Sequence, residues 1–176
     1  NLAVTIVNTR VNNNTGILSG GIFVSADSPP AASLGVTLRN TTVMHNRSEH
    51  MTGVNLSLSN NSAELELKID AVTAAHNISQ PTVAATDPFE GSHISGFLIA
   101  TTTVKSGLIF TNVTVANNQS INEEDDAITI AGFFGLLINP PRKISFTNST
   151  IVGNSTVETG NGPLGRLGAF GLISAV

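Results

Sequence analysis

Five stretches of this 176-residue chain align on one asparagine. They read VTIVNTRVNNNTG (4–16), VTLRNTTVMHNRS (36–48), LKIDAVTAAHNIS (67–79), LIFTNVTVANNQS (108–120) and ISFTNSTIVGNST (144–156). The shared residues are Asn14, Asn46, Asn77, Asn118 and Asn154, spaced by 32, 31, 41 and 36 positions. A repeat of this length is one supersecondary unit that buries its apolar face only against its neighbours. No other feature narrows the possible folds as much.

Within each copy, apolar residues alternate: Val4/Ile6, Val36/Leu38, Leu67/Ile69, Leu108/Phe110 and Ile144/Phe146. Period two predicts a strand with one face buried. Two positions later stands Asn8, Asn40, Ala71, Asn112 or Asn148. Asn tolerates the left-handed backbone region, which suits a sharp corner. A second short strand follows, with Val11, Val43, Ala74, Val115 or Ile151 pointing inward. Behind each copy lies a Gly-containing apolar stretch, such as SGGIFVSA (19–26) and ISGFLIATT (94–102). Each unit therefore reads as about three short strands and three turns. Helix is a poor alternative, because Asn, Thr, Val and Gly have weak helix propensity and Pro29-Pro30 and Pro140-Pro141 break helices.

Strands recurring about every 35 residues predict an all-β fold, a right-handed parallel β-helix (solenoid) of about five rungs, as one segment over 1–176. Rungs at about 4.8 Å span roughly 24 Å. Stacked corners predict an amide ladder through Asn8, Asn40, Asn112 and Asn148, interrupted where Ala71 makes the third rung differ. A sandwich of antiparallel strands is the rival, but Asn161-Gly162 is the one hairpin dipeptide of the expected kind.

The pattern resembles the right-handed parallel β-helix superfamily with pectate-lyase-like corners. SGGIFVS and FTNSTIVGN are also similar to the Gly-Gly-Ala-Ile and Phe-x-x-Asn repeats of polymorphic outer-membrane proteins and related surface β-helices. The resemblance covers essentially the whole chain and implies the fold. The fold itself hosts lyases, hydrolases, adhesins and fibre proteins alike.

Composition removes several functions. Eight Lys+Arg against 12 Asp+Glu, net charge -4, leave no footprint for nucleic acid. Without Cys there is no disulfide, thiolate nucleophile or zinc ribbon. No apolar run reaches the roughly 18 residues of a transmembrane helix, and no signal peptide is visible at Asn1. Both ends read as repeat without a polar cap, so the expectation is a segment of a longer chain or assembly, stacked end to end on neighbouring copies or adjoining β-helix segments.

Catalytic motifs are incomplete. Polygalacturonase-like enzymes carry Asn-Thr-Asp, Asp-Asp, Gly-His-Gly and Arg-x-Lys in order; here Asp125-Asp126 sits in an acidic run, His93 lies in GSHIS before it, and Arg142-Lys143 follows two prolines. Glu123, Glu124, Asp125 and Asp126 offer oxygen ligands for calcium without the spacing of an EF-hand. Asp125 and Asp126 are the weak metal candidates, and a solvated acidic loop is the plainer reading. His45 and His76 share one register, which puts their side chains about 5 Å apart in a solenoid; two imidazoles can share a metal, although exposed turn histidines are the plainer reading. His50 and His93 are isolated in sequence. Of Phe133 and Phe134, one must face outward. No catalytic residue or cofactor is assigned.

Ten Asn-x-Ser/Thr sequons begin at Asn13, Asn40, Asn46, Asn55, Asn60, Asn77, Asn112, Asn118, Asn148 and Asn154, where chance gives about four. Used sequons mark surface loops of secreted proteins. A repeat that carries two structural Asn multiplies them without any sugar. The corner Asn are expected to be held in the ladder, so Asn46, Asn77, Asn118 and Asn154 at the outgoing turn are the expected acceptors, with Asn13, Asn55 and loop-located Asn60. The functional expectation is an extracellular or cell-surface structural β-helix, N-glycosylated, acting as a rigid rod or spacer of a surface or filament protein. The alternatives are an adhesin passenger segment, or a carbohydrate-active fragment, with carbohydrate kept as a partner class.

Overall fold

The computed structural model describes residues 2–28, 33–60, 65–80, 92–101, 107–122, 128–138, 143–158 and 165–175. All regular structure among them is strand. The first copy supplies β1 (Leu2–Val7), β2 (Arg10–Asn12), β3 (Thr15–Gly16) and β4 (Ile22–Ser28). The second supplies β5 (Leu34–Met44), β6 (Arg47–Ser48) and β7 (Val54–Asn60). The third gives β8 (Leu65–Ala75), β9 (Ile78–Ser79), β10 (Ser92–Ile94) and β11 (Phe97–Thr101). The fourth gives β12 (Leu108–Thr111), β13 (Thr114–Ala116), β14 (Gln119–Asn122), β15 (Ile128–Ile130) and β16 (Phe133–Ile138). The fifth gives β17 (Ile144–Thr147), β18 (Thr150–Val152), β19 (Ser155–Glu158), β20 (Gly165–Leu167) and β21 (Phe170–Ala175).

Equivalent strands of successive copies pair in parallel, in four sheets. The largest runs β1-β5-β8-β12-β17 and takes in β2, β13 and β18 past the first corner. The others run β3-β6-β9-β14-β19, β10-β15-β20 and β4-β7-β11-β16-β21. Register is strict: Ile6, Leu38, Ile69, Phe110 and Phe146 fall in line, as do Val11, Val43, Ala74, Val115 and Ile151. Each pass therefore visits more sheets than three strands per unit implies. The short pairs after the second Asn and the three-residue strands at 92–94, 128–130 and 165–167 had no periodicity long enough to read.

The alternating residues do face inward. Val36, Leu38, Leu67, Ile69, Leu108 and Phe110 are buried in one cluster with Val54, Leu56, Phe97, Ile99 and Phe133 from the facing sheet. Two files of rings interlock at its centre. Phe97, Phe133 and Phe170 stack along one sheet at 5.5 Å per step. Phe110 and Phe146 stack at 4.6 Å along the other. Phe110 meets Phe133 edge-on at 5.2 Å, and Phe133 meets Phe146 edge-on at 5.0 Å, which are favourable offset and T-shaped arrangements.

Gly21, Gly53, Gly96 and Gly132 form another file, at the entry to the facing sheet. The amide of the residue after each one bonds the carbonyl one copy on: Ile22 to Gly53, Val54 to Gly96 and Phe97 to Gly132, each at 2.9 Å. That carbonyl occupies the space a Cβ would need, so each side chain in the file is excluded by the backbone of the next copy.

Candidate functional site

The two Asn of each copy have separate geometries: the first turns the corner, as expected, but the buried ladder belongs to the second. Asn8, Asn40, Asn112 and Asn148 have φ of 54, 48, 55 and 49°, as the corner requires, and all four are exposed. Asn40 Nδ2 donates to Asn8 Oδ1 at 2.7 Å. Their amide contacts lie at the surface and satisfy no buried group. Ala71 keeps the same left-handed corner, with φ of 51°, and interrupts the row of corner amides, as expected. Asn112 Nδ2 turns instead to Asp70 Oδ1 at 3.1 Å. Hydroxyls brace these corners: Thr9, Thr41 and Ser149 each bond the carbonyl two residues back at 3.0 Å.

The internal ladder belongs to the second Asn. Asn46 is 1% exposed, Asn77 and Asn118 0%. The Oδ1 of each accepts both the backbone N–H and the Nδ2 of its counterpart one copy earlier. The distances are 3.0 and 3.0 Å for Asn14 onto Asn46, and 3.2 and 3.0 Å for Asn46 onto Asn77. They are 3.0 and 2.9 Å for Asn77 onto Asn118, and 3.0 and 2.8 Å for Asn118 onto Asn154. The second Nδ2 proton goes to the carbonyl of Val11, Val43, Ala74 or Val115. An Nδ2 with both protons spent inside the fold leaves no room for a glycan, which corrects the expectation that Asn46, Asn77 and Asn118 face solvent. Asn154 is half-buried: its Oδ1 accepts from Asn118 and its Nδ2 donates to Val115 O at 2.8 Å. Asn55, buried with Nδ2 on Thr52 O at 3.1 Å, is also unsuited. Asn13 is exposed, and Asn60 is the last residue of β7 rather than a loop residue.

The residue before each ladder Asn makes a second left-handed corner: Asn13, His45, His76, Asn117 and Gly153 have φ of 58, 54, 53, 53 and 65°. This was the missed signal, since Asn and Gly at three of the five places are the residues that tolerate such a backbone. The left-handed residue throws its own side chain outward and turns the next one in. Two positions further on, the sequon hydroxyl is buried too. Ser79 Oγ donates to His50 O at 2.7 Å, and Ser120 Oγ to Ile130 O at 2.7 Å. Asn-x-Ser at this turn is thus explained as an inward amide followed by an inward hydroxyl.

The four histidines form two stacks. His45 and His76 are exposed, with ring centroids 5.0 Å apart and planes 9° from parallel. His50 and His93, separated in sequence, are brought together at 6.0 Å and are 3% and 1% exposed. His93 Nδ1 lies 2.8 Å from Glu49 O.

On the outer side of β8 and β12 an open groove of about 550 Å³ is lined by Glu66, Lys68, Asp70, Ile109, Thr111 and Asn112 among others. Lys68 pairs with Glu66 at 2.8 Å. Glu66 and Asp70 are four residues apart on one strand, which separates them by roughly 13 Å. Asp125 and Asp126 lie outside the described residues, as do Glu123 and Glu124, and with them the calcium expectation. Among the described residues no group of three His, Asp or Glu converges on a metal position, and no helix is long and apolar enough to cross a membrane. Phe133 points into the core and Phe134 outward, half-buried. Beside Phe134 on the outer face of its sheet, Leu136, Ile138 and Ile173 are exposed.

Comparison with protein-family models, with curated proteins and with solved structures returned no match.

Proposed function

We propose that this chain is a right-handed parallel β-helix of five rungs that works as a stiff rod or spacer in an extracellular surface or filament protein. The observation that carries the reading is the one-to-one register of five copies through parallel sheets, with an amide ladder, a glycine file and ring stacks all running along one direction. Such repetition resists bending, because each copy is tied to the next at every corner. The right-handed form follows from the general rule that about 98% of parallel crossovers take that hand. Further coils, from the same chain or a second copy, are the partners that extend such a rod.

N-glycosylation belongs to this reading, at the solvent-facing sequons Asn13, Asn40, Asn112 and Asn148. The test is secretion from a eukaryotic host followed by glycopeptide mapping. Sugar at these positions, with Asn46, Asn55, Asn77 and Asn118 bare, is the expected result. An unmodified secreted chain sinks the glycosylated rod, and a folded chain with sugar on Asn77 sinks the assignment of the ladder. The exposed Leu136, Ile138 and Ile173 favour a second reading, an adhesin segment that meets its partner with this outer face.

A further inference from the structure

We propose that His45 and His76 form a two-imidazole surface site for a borderline divalent transition metal, namely zinc, nickel or copper(II). The pair is held in place by the backbone rather than by its side chains. His45 N–H bonds Ala75 O at 3.2 Å and His76 N–H bonds Ala116 O at 3.0 Å. Each histidine is followed by a ladder residue, Asn46 or Asn77, buried and bonded on both sides. Both take the same left-handed conformation, with φ of 54 and 53°. The two Cα positions and the direction in which each side chain leaves the backbone are therefore set by the interior. The rings themselves stand in solvent, face to face at 5.0 Å.

Imidazole nitrogen is the ligand these metals share, and oxygen-seeking calcium and magnesium gain little from it. Two bonds of about 2.0–2.1 Å at a tetrahedral angle bring the nitrogens to about 3.3 Å from each other. Exposed rings reach that spacing by tilting toward one another through less than about 2 Å, within the range of ordinary rotamer adjustment. Water completes the coordination sphere, which leaves an open position for a carboxylate or imidazole from another molecule. The other two histidines are buried, so metal uptake that is lost with His45 and His76 reports on this pair.

The experiment uses the untagged full chain and titrates Zn²⁺, Ni²⁺ and Cu²⁺ separately by calorimetry, with thermal melts at each metal concentration. Saturable binding of one ion per chain is expected, with a melting temperature that climbs with metal and returns on adding chelator. His45→Asn and His76→Asn are the matched variants, because Asn already occupies this corner at Asn13 and Asn117. Each variant should melt within about 1 °C of the parent without metal and lose affinity about tenfold or more. Undiminished binding in the double variant, or no saturable binding of any of the three ions below about 1 mM, overturns the proposal.

Discussion

Asn77 Oδ1 receives two hydrogen bonds from Asn46, one from its backbone N–H at 3.2 Å and one from its Nδ2 at 3.0 Å. Because Asn77 passes the same pair of bonds to Asn118, removing one amide strands groups on both sides. Asn77→Ala leaves the Asn46 N–H, one Asn46 Nδ2 proton and the Val43 carbonyl short of a partner in a buried place, while Asn118 Oδ1 keeps one of its two donors. The expected loss is on the order of 3 kcal/mol or more. Asn112→Ala, at the exposed corner, forfeits the surface bond to Asp70 Oδ1 and the tolerance for a left-handed backbone, about 1–2 kcal/mol in all. Urea unfolding of the two variants distinguishes them. Equal losses would mean that the buried ladder has no special weight.

Ala71 holds a left-handed corner with a residue ill-suited to it. Ala71→Asn restores the residue used at four equivalent corners and should stabilise the chain by about 0.5–1 kcal/mol. The readout is the midpoint of thermal unfolding. A lower midpoint would show that the Asp70–Asn112 contact depends on Ala71.

Glycine files and glycine positions with room around them respond in opposite ways. A Cβ on Gly96 runs into the Gly132 carbonyl, which is backbone and held by the Phe97 N–H at 2.9 Å. Gly96→Ala should cost at least the 1–3 kcal/mol typical of overpacking. Gly35 has nothing within 4 Å of the same position, and Gly35→Ala should change stability by no more than about 0.5 kcal/mol. Denaturant midpoints of the pair check the contrast.

Phe110 joins the two ring files, stacked on Phe146 and edge-on to Phe133. Phe110→Ala opens a cavity between rings that are pinned by their own strands, and about 3–5 kcal/mol is expected. Calorimetric unfolding measures it. A loss under about 1 kcal/mol would mean that the core collapses onto the gap.

Much of the architecture is legible in the residues. The alternation Leu67/Ile69 and Leu108/Phe110 gives the buried face, and the aligned anchors Asn14 to Asn154 give the strand partners before any coordinate is known. The short strands β3, β6, β9 and β10 are not legible, since two or three residues carry no period. Nor is the pairing of His50 with His93, whose 43-residue separation matches no repeat spacing in the alignment.

The tertiary structure decided which asparagine does what. Both Asn112 and Asn118 sit beside β-branched strands and open a sequon, so composition and period treat them alike. The distinction arises at Asn117, where one left-handed residue reverses the facing of the chain. On either side of that turn, Ala116 and Asn118 are docked against neighbouring copies. The sequence by itself determined that copies stack in register; the stacked interior determined that Asn46, Asn77 and Asn118 face inward, because a buried backbone needs the bonds that their amides supply.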